Sequence, residues 1–178
     1  MQGLVNFAAA VGEGLAIFLP TFCYLTAIGL FLFAGWGFWR QAQPDNPYRG
    51  KPWIPIFSLV LCGVFASFDR ILTMANVTMG TDLQVSLTNN LTTYAPAVDE
   101  DVLGTTPGTT LLNIVTLFQS FFQAFGAMAC FFAALTWWSI VTGRTNRSTV
   151  GTGIQFVFGI LLINVMTVAT WLVSIFQT

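Results

Sequence analysis

Between Thr110 and Val141 the chain reads TLLNIVTLFQSFFQAFGAMACFFAALTWWSIV, with no charged residue anywhere in it. About 20 apolar helical residues are enough to cross the roughly 30 Å hydrocarbon core of a bilayer, so this run exceeds one crossing. Three further runs resemble it. One covers Leu15 to Trp39, interrupted only by Pro20; a second starts at Trp53 and continues through IPIFSLVLCGVFASFDRILTMA; a third covers Gly153 to Phe176. Of the 178 residues 55% are hydrophobic and 7% charged. A soluble domain carries about 25% charged residues and could not hide so much apolar surface. The sequence therefore predicts an all-α integral membrane protein. Its four long hydrophobic helices form two hairpins with short basic turns, joined by a polar exterior loop.

The boundaries expected from this pattern are an amphipathic segment over residues 1–14, a first hairpin over 15–76, a polar loop over 77–109 and a second hairpin over 110–178. Leu4, Val5, Phe7, Ala8 and Val11 can share one face of a helix lying in the membrane interface. With no basic residue before the apolar run, residues 1–14 do not resemble a signal peptide. The resemblance between the hairpins is one of layout, not of residue identity.

Orientation follows from the cations. Arg40, Arg49 and Lys51 sit in the first short turn and Arg144 and Arg147 in the second, whereas Val77–Thr109 carries Asp82, Asp99, Glu100 and Asp101 and no Lys or Arg. By the positive-inside rule both short turns face the cytoplasm, and the long loop and both termini lie outside. Trp36, Trp39, Trp53, Trp137 and Trp138 then form a belt at the inner surface, with Trp171 near the outer one. Within the loop, LQVSLTNNLTTY alternates apolar and polar residues as a short β-hairpin would. Asn76, Asn90 and Asn146 each begin an Asn-x-Ser/Thr triplet, a frequency that chance explains in so Thr- and Asn-rich a chain.

Several chemistries have no residues to carry them. The chain has no histidine, which removes the commonest metal ligand and neutral-pH proton shuttle. It contains no CxxC, HExxH, P-loop or GxGxxG pattern, and Cys23, Cys62 and Cys130 all lie inside apolar runs, where cysteine acts as a small hydrophobe. Neither a metal nor another cofactor is expected, and the chain reads as non-enzymatic.

Polar residues inside the runs are the remaining candidates. Asp69 and Arg70 stand 18 and 19 residues beyond Lys51, about 27 Å along a straight helix, near the outer interface. An interfacial charge pair, a contact with a neighbouring subunit and an ion-coupling carboxylate are all open there. Gln119 and Gln123 share a face of the third run, with Asn113 and Ser120 nearby, and Asn164 stands in the middle of the fourth. Such residues usually bond between helices or subunits. Gly126, Cys130 and Ala134 make a small-residue ridge suited to close helix contact. Only Pro20 and Pro55 are expected to interrupt the spans, which argues against the matched broken helices of many transporters.

The stretch WWSIVTGRTNRSTVGTG followed by IQFVFGILLINVMTVATW resembles the helical hairpin of major pilins from conjugation and type IV secretion systems. With two hairpins in one chain and the G…Q…G…LLIN…T run from Gly151 to Thr167, it is more similar to small polytopic proteins of I-type conjugation and Dot/Icm-like type IVB systems, the TraQ and IcmC/DotE group. The resemblance implies a subunit of a secretion apparatus in the bacterial inner membrane that polymerises with copies of itself into an extracellular pilus. It further implies that Arg144 and Arg147 face a lumen, with Arg40, Arg49 and Lys51 as their counterparts in the first hairpin. There they would meet anionic phospholipid or the phosphates of passing nucleic acid. Other membrane proteins of the apparatus are the implied partners, and protein is a further implied substrate. A membrane-resident channel component and a small transporter are the alternatives.

Overall fold

The computed structural model describes residues 2–81, 84–85 and 106–176, and all of its elements are helices. The expected β-hairpin and most of the polar loop lie outside the described residues. The helices are α1 (Gln2–Gln41), α2 (Trp53–Ala66), α3 (Phe68–Thr78), α4 (Pro107–Leu117), α5 (Gln119–Val141), α6 (Thr149–Ile163) and α7 (Val165–Phe176).

The expected pairs form: α1 packs along α2, and α5 along α6, with α1 also lying against α5. Four long helices do not. Only α1 and α5 are long and apolar enough to cross a membrane singly; the other two runs are bent pairs, turning by 79° between α2 and α3 and by 82° between α6 and α7. By length and composition the described residues hold two candidate spans, and up to four if each bent pair counts as one. The over-long third run is likewise divided, into α4 and α5.

All three breaks are single residues, Ser67, Phe118 and Asn164, with φ,ψ of −119°,33°, −101°,6° and −95°,30°. These angles fall near the sparsely populated bridge between helix and strand. At each break the residue's own N–H still reaches the carbonyl four back, and its carbonyl is still reached from four ahead. Neither proline expected to interrupt a span does so. Pro55 occupies the first turn of α2, where no backbone donor is needed, and Pro20 lies inside an unbroken α1. α1 also continues through residues 2–14 without a break, so this segment and the run that follows it form one helix.

The core is aromatic and small-residue in character. Leu19, Cys23, Ala27 and Leu30 form the buried seam of α1, at the three- and four-residue spacing of one helix face. The Phe131 ring meets those of Phe65 at 5.3 Å, Phe68 at 6.2 Å and Phe22 at 6.4 Å between centroids, joining four helices. The small ridge of α5 packs inside this same chain. A Cβ at Gly126 would stand 2.5 Å from the Gly159 carbonyl oxygen, and the Cys130 thiol donates to the Phe156 carbonyl at 3.4 Å. Around this core, Ile17, Leu25, Ile28, Leu32, Ile154 and Phe158 all remain exposed. So broad an apolar surface is compatible with a membrane location.

Candidate functional site

Both basic turns meet over one aromatic platform. Arg40, in the last turn of α1, places its guanidinium 5.7 Å from the Trp36 ring and donates to Gln43 Oε1 at 3.1 Å. Trp36 packs on Tyr48 (6.2 Å) and Phe33 (6.1 Å), and Phe33 meets Trp138 edge-on at 5.6 Å. Arg144 completes the chain, its guanidinium 4.7 Å from the Trp138 ring. Stacking on a ring face suits a planar guanidinium and fixes its position while leaving the edge nitrogens exposed.

Local sequence builds each turn. In the second, Gly143 has φ 75°, a conformation only glycine adopts readily. Its N–H reaches the Ile140 carbonyl (3.0 Å) while that of Arg144 reaches Ser139 (2.9 Å), a Schellman helix end. In the first, the Asn46 side chain accepts from the Tyr48 N–H (2.8 Å), and Gln41 Nε2 closes the turn on the Pro52 carbonyl (2.9 Å). Trp138 also ties the hairpins together: its indole N–H donates to the buried Ser58 hydroxyl at 3.1 Å, which in turn donates to the Ile54 carbonyl.

Arg49 and Lys51 are exposed on the first turn, just after Tyr48. Arg147 is exposed beside a polar cavity of about 290 Å³ that it lines with Ser148, Gly151, Thr152 and Gln155, at the start of α6. Thr152 also lines an apolar crevice of about 210 Å³, walled by Leu61 and Val64 of α2, Phe68 and Ile71 of α3, Ala133 and Trp137 of α5, and Phe156.

The other sequence candidates divide. Asn164 is buried and links distant segments: its Nδ2 donates to Asn76 Oδ1 (2.8 Å) and the Ile160 carbonyl (3.0 Å), and its Oδ1 accepts from Thr81 Oγ1 (2.7 Å). Asp69 is half-buried in the first turn of α3, where it accepts from the Arg70 backbone N–H (2.8 Å), and Arg70 is exposed. Because α2 ends at Ala66, the straight-helix estimate of their depth no longer applies. Gln119 and Gln123 are half-buried at the start of α5 and make no side-chain hydrogen bond to another described residue.

Sequence reasoning missed Asn76, Thr81 and Ser58. Asn76 drew notice only as the start of a glycosylation triplet. Thr81 and Ser58 gave no signal, since each acquires meaning from a partner about eighty residues away.

No protein-family model, curated protein or solved structure matches this chain.

Proposed function

We propose that the chain is a non-enzymatic structural subunit of a conjugation or type IV secretion apparatus, embedded in the bacterial inner membrane with both basic turns at the cytoplasmic surface. The observation that carries the structural role is the aromatic platform joining Arg40 to Arg144. It makes one cationic surface from two turns about a hundred residues apart. The interior beneath is apolar, and its buried polar side chains Ser58, Thr152 and Asn164 are bonded within the protein. The secretion assignment rests on the resemblance of WWSIVTGRTNRSTVGTG and the helix after it to the pilin hairpin.

Anionic phospholipid is the ligand these turns fit. Arg147 and the polar cavity suit a phosphate headgroup, and the crevice beyond Thr152 suits an acyl chain. Phosphates of nucleic acid in transit would use the same cations without sequence preference. Self-association into a pilus is the assembled form proposed, and a resident channel component is its rival. Electron microscopy of filaments sheared from cells, with mass spectrometry of their protein and lipid, decides between them. This chain as the main filament component, with lipid in fixed ratio, is the expected result; absence from filaments while present in the inner membrane overturns the pilus form.

The matched breaks at Ser67 and Asn164 favour a second reading, a small transporter. Asp69→Asn separates the two: it abolishes substrate movement by a transporter that couples to this carboxylate, and leaves assembly of a structural subunit intact.

A further inference from the structure

The helices that return from the basic turns are too short for the bilayer that α1 and α5 fit. α1 has 40 residues and α5 has 23, about 60 and 35 Å, each enough for a core of roughly 30 Å. α2 has 14 and α6 has 15, only about 21 and 23 Å before the chain turns aside by 79° and 82°. Both start at the same surface, since α2 begins two residues after Lys51 and α6 two after Arg147. The two bends therefore fall roughly 7–9 Å short of the far boundary, and any tilt widens the gap.

The residues at the bends do not belong in hydrocarbon. Asp69 and Arg70 follow the first bend by two and three residues, Asp69 half-buried and Arg70 exposed. Charges at that depth draw water and headgroups toward them. After the second bend α7 is two-faced. Thr167, Thr170, Trp171 and Ser174 lie along one side at helical spacing and Val168, Ala169, Leu172 and Phe176 on the other, where Leu172 and Phe176 are exposed as well. Leu172 and Phe176 line an apolar cavity with Leu111 of α4. Trp171 suits a headgroup layer, and the Thr170 and Ser174 hydroxyls, which donate to carbonyls of their own helix, tolerate either layer.

We propose that this chain thins the bilayer beside α2 and α6, drawing the outer headgroup layer down to the bends so that α3 and α7 lie within it. A bilayer meets a short hydrophobic stretch by thinning at modest cost, whereas full thickness would strand Asp69 and Arg70 in acyl chains. The back of the molecule, with α1 and α5, keeps ordinary thickness. Thinning on one side lowers the barrier to moving polar material past that face, a use suited to a secretion subunit. The inference rests on the membrane placement of the basic turns proposed above.

The test uses the full chain with Cys62→Ala, reconstituted in bilayers of short, ordinary and long acyl chains. With the bilayers held as nanodiscs, so that both faces meet the solution, cysteines introduced one at a time as Arg70→Cys and Thr145→Cys, beside the buried Cys23 and Cys130, are exposed to a membrane-impermeant maleimide. The expected result in ordinary bilayers is comparable labelling at both positions. For the unsubstituted chain it is a thermal unfolding midpoint that rises as acyl chains shorten. Labelling at 145 without labelling at 70 overturns the proposal, as does a midpoint indifferent to chain length, which would mean a water-filled vestibule. Shielding of 145 instead overturns the membrane placement itself. If Arg70→Cys fails to fold, the midpoint series on the unsubstituted chain still decides.

Discussion

The two hairpins have the same layout but are fastened differently. In the second, α5 and α6 touch backbone to backbone: a Cβ at Gly126 would meet the Gly159 carbonyl at 2.5 Å and the Ile163 nitrogen at 2.9 Å, and one at Gly159 would meet Cys130 Sγ at 2.5 Å. In the first, the tight approach is of Gly37 to the Pro55 ring, 2.7 Å from a would-be Cβ, close to the basic turn. Farther along, α1 and α2 meet through bulky side chains such as Leu30, Leu61 and Phe65. Lipid tails are as apolar as leucine, so helix association within a membrane depends on close packing and hydrogen bonds more than on burial. The second hairpin is therefore the more closely fastened of the two.

The largest test of that difference is Gly126→Val. Its side chain must displace backbone on α6, and the expected cost is about 3 kcal/mol or loss of the folded state, read by unfolding in mixed detergent micelles. Gly37→Val meets only a proline ring in the first turn of α2, and should cost about 1 kcal/mol. Equal losses at the two glycines would remove the contrast.

The breaks differ in the same sense. Asn164 is held by three side-chain hydrogen bonds, to Asn76, Thr81 and the Ile160 carbonyl, whereas Ser67 is exposed and caps nothing with its side chain. Asn164→Leu, similar in size but without a polar group, should cost about 1–2 kcal/mol and loosen α3 from α6, seen as faster amide exchange around Thr81. Ser67→Ala should change stability by less than about 0.5 kcal/mol. A large loss at Ser67 would mean that the first bend, too, is fastened by its own side chain.

The contrast also marks where sequence reading stops. Hydropathy found the apolar runs and the basic turns, because both depend on composition over tens of residues. It could not find the bends. At Ser67 and Asn164 one residue near the bridge region redirects a helix by about 80° without altering the periodicity on either side, and at Phe118 a helix is divided without even a polar residue. Asn164 was legible as a polar residue in a span, but its partner Asn76 is 88 positions away. The tryptophans beside the two turns were legible as a group. That Phe33 joins Trp36 to Trp138, and with them Arg40 to Arg144, depends on the packing of α1 against α5.

Trp138 joins the hairpins, so its effect should fall between those of the two. Trp138→Phe keeps a ring beneath Arg144 but loses the bond to Ser58, at an expected cost of about 1 kcal/mol. Ser58→Ala removes the same bond from the other side. If the bond is what matters, the double variant should lose little more than either single one.

The smallest effect on stability, and the most specific, is expected at Arg147. It is exposed beside the cavity at the start of α6, whereas Arg144 rests on Trp138. If the second turn grips an anionic headgroup through this cavity, Arg147→Ala should remove the bound lipid seen by native mass spectrometry in phosphatidylglycerol and leave the unfolding midpoint within about 0.5 kcal/mol of the parent. Arg144→Ala should retain more lipid, because the cavity and Arg147 remain. It should also lose a little stability, about 0.5–1 kcal/mol for an exposed cation–π contact. The reverse order would place the headgroup over the aromatic platform and make Arg40 its second ligand, so that both hairpins, not the second alone, would hold the lipid.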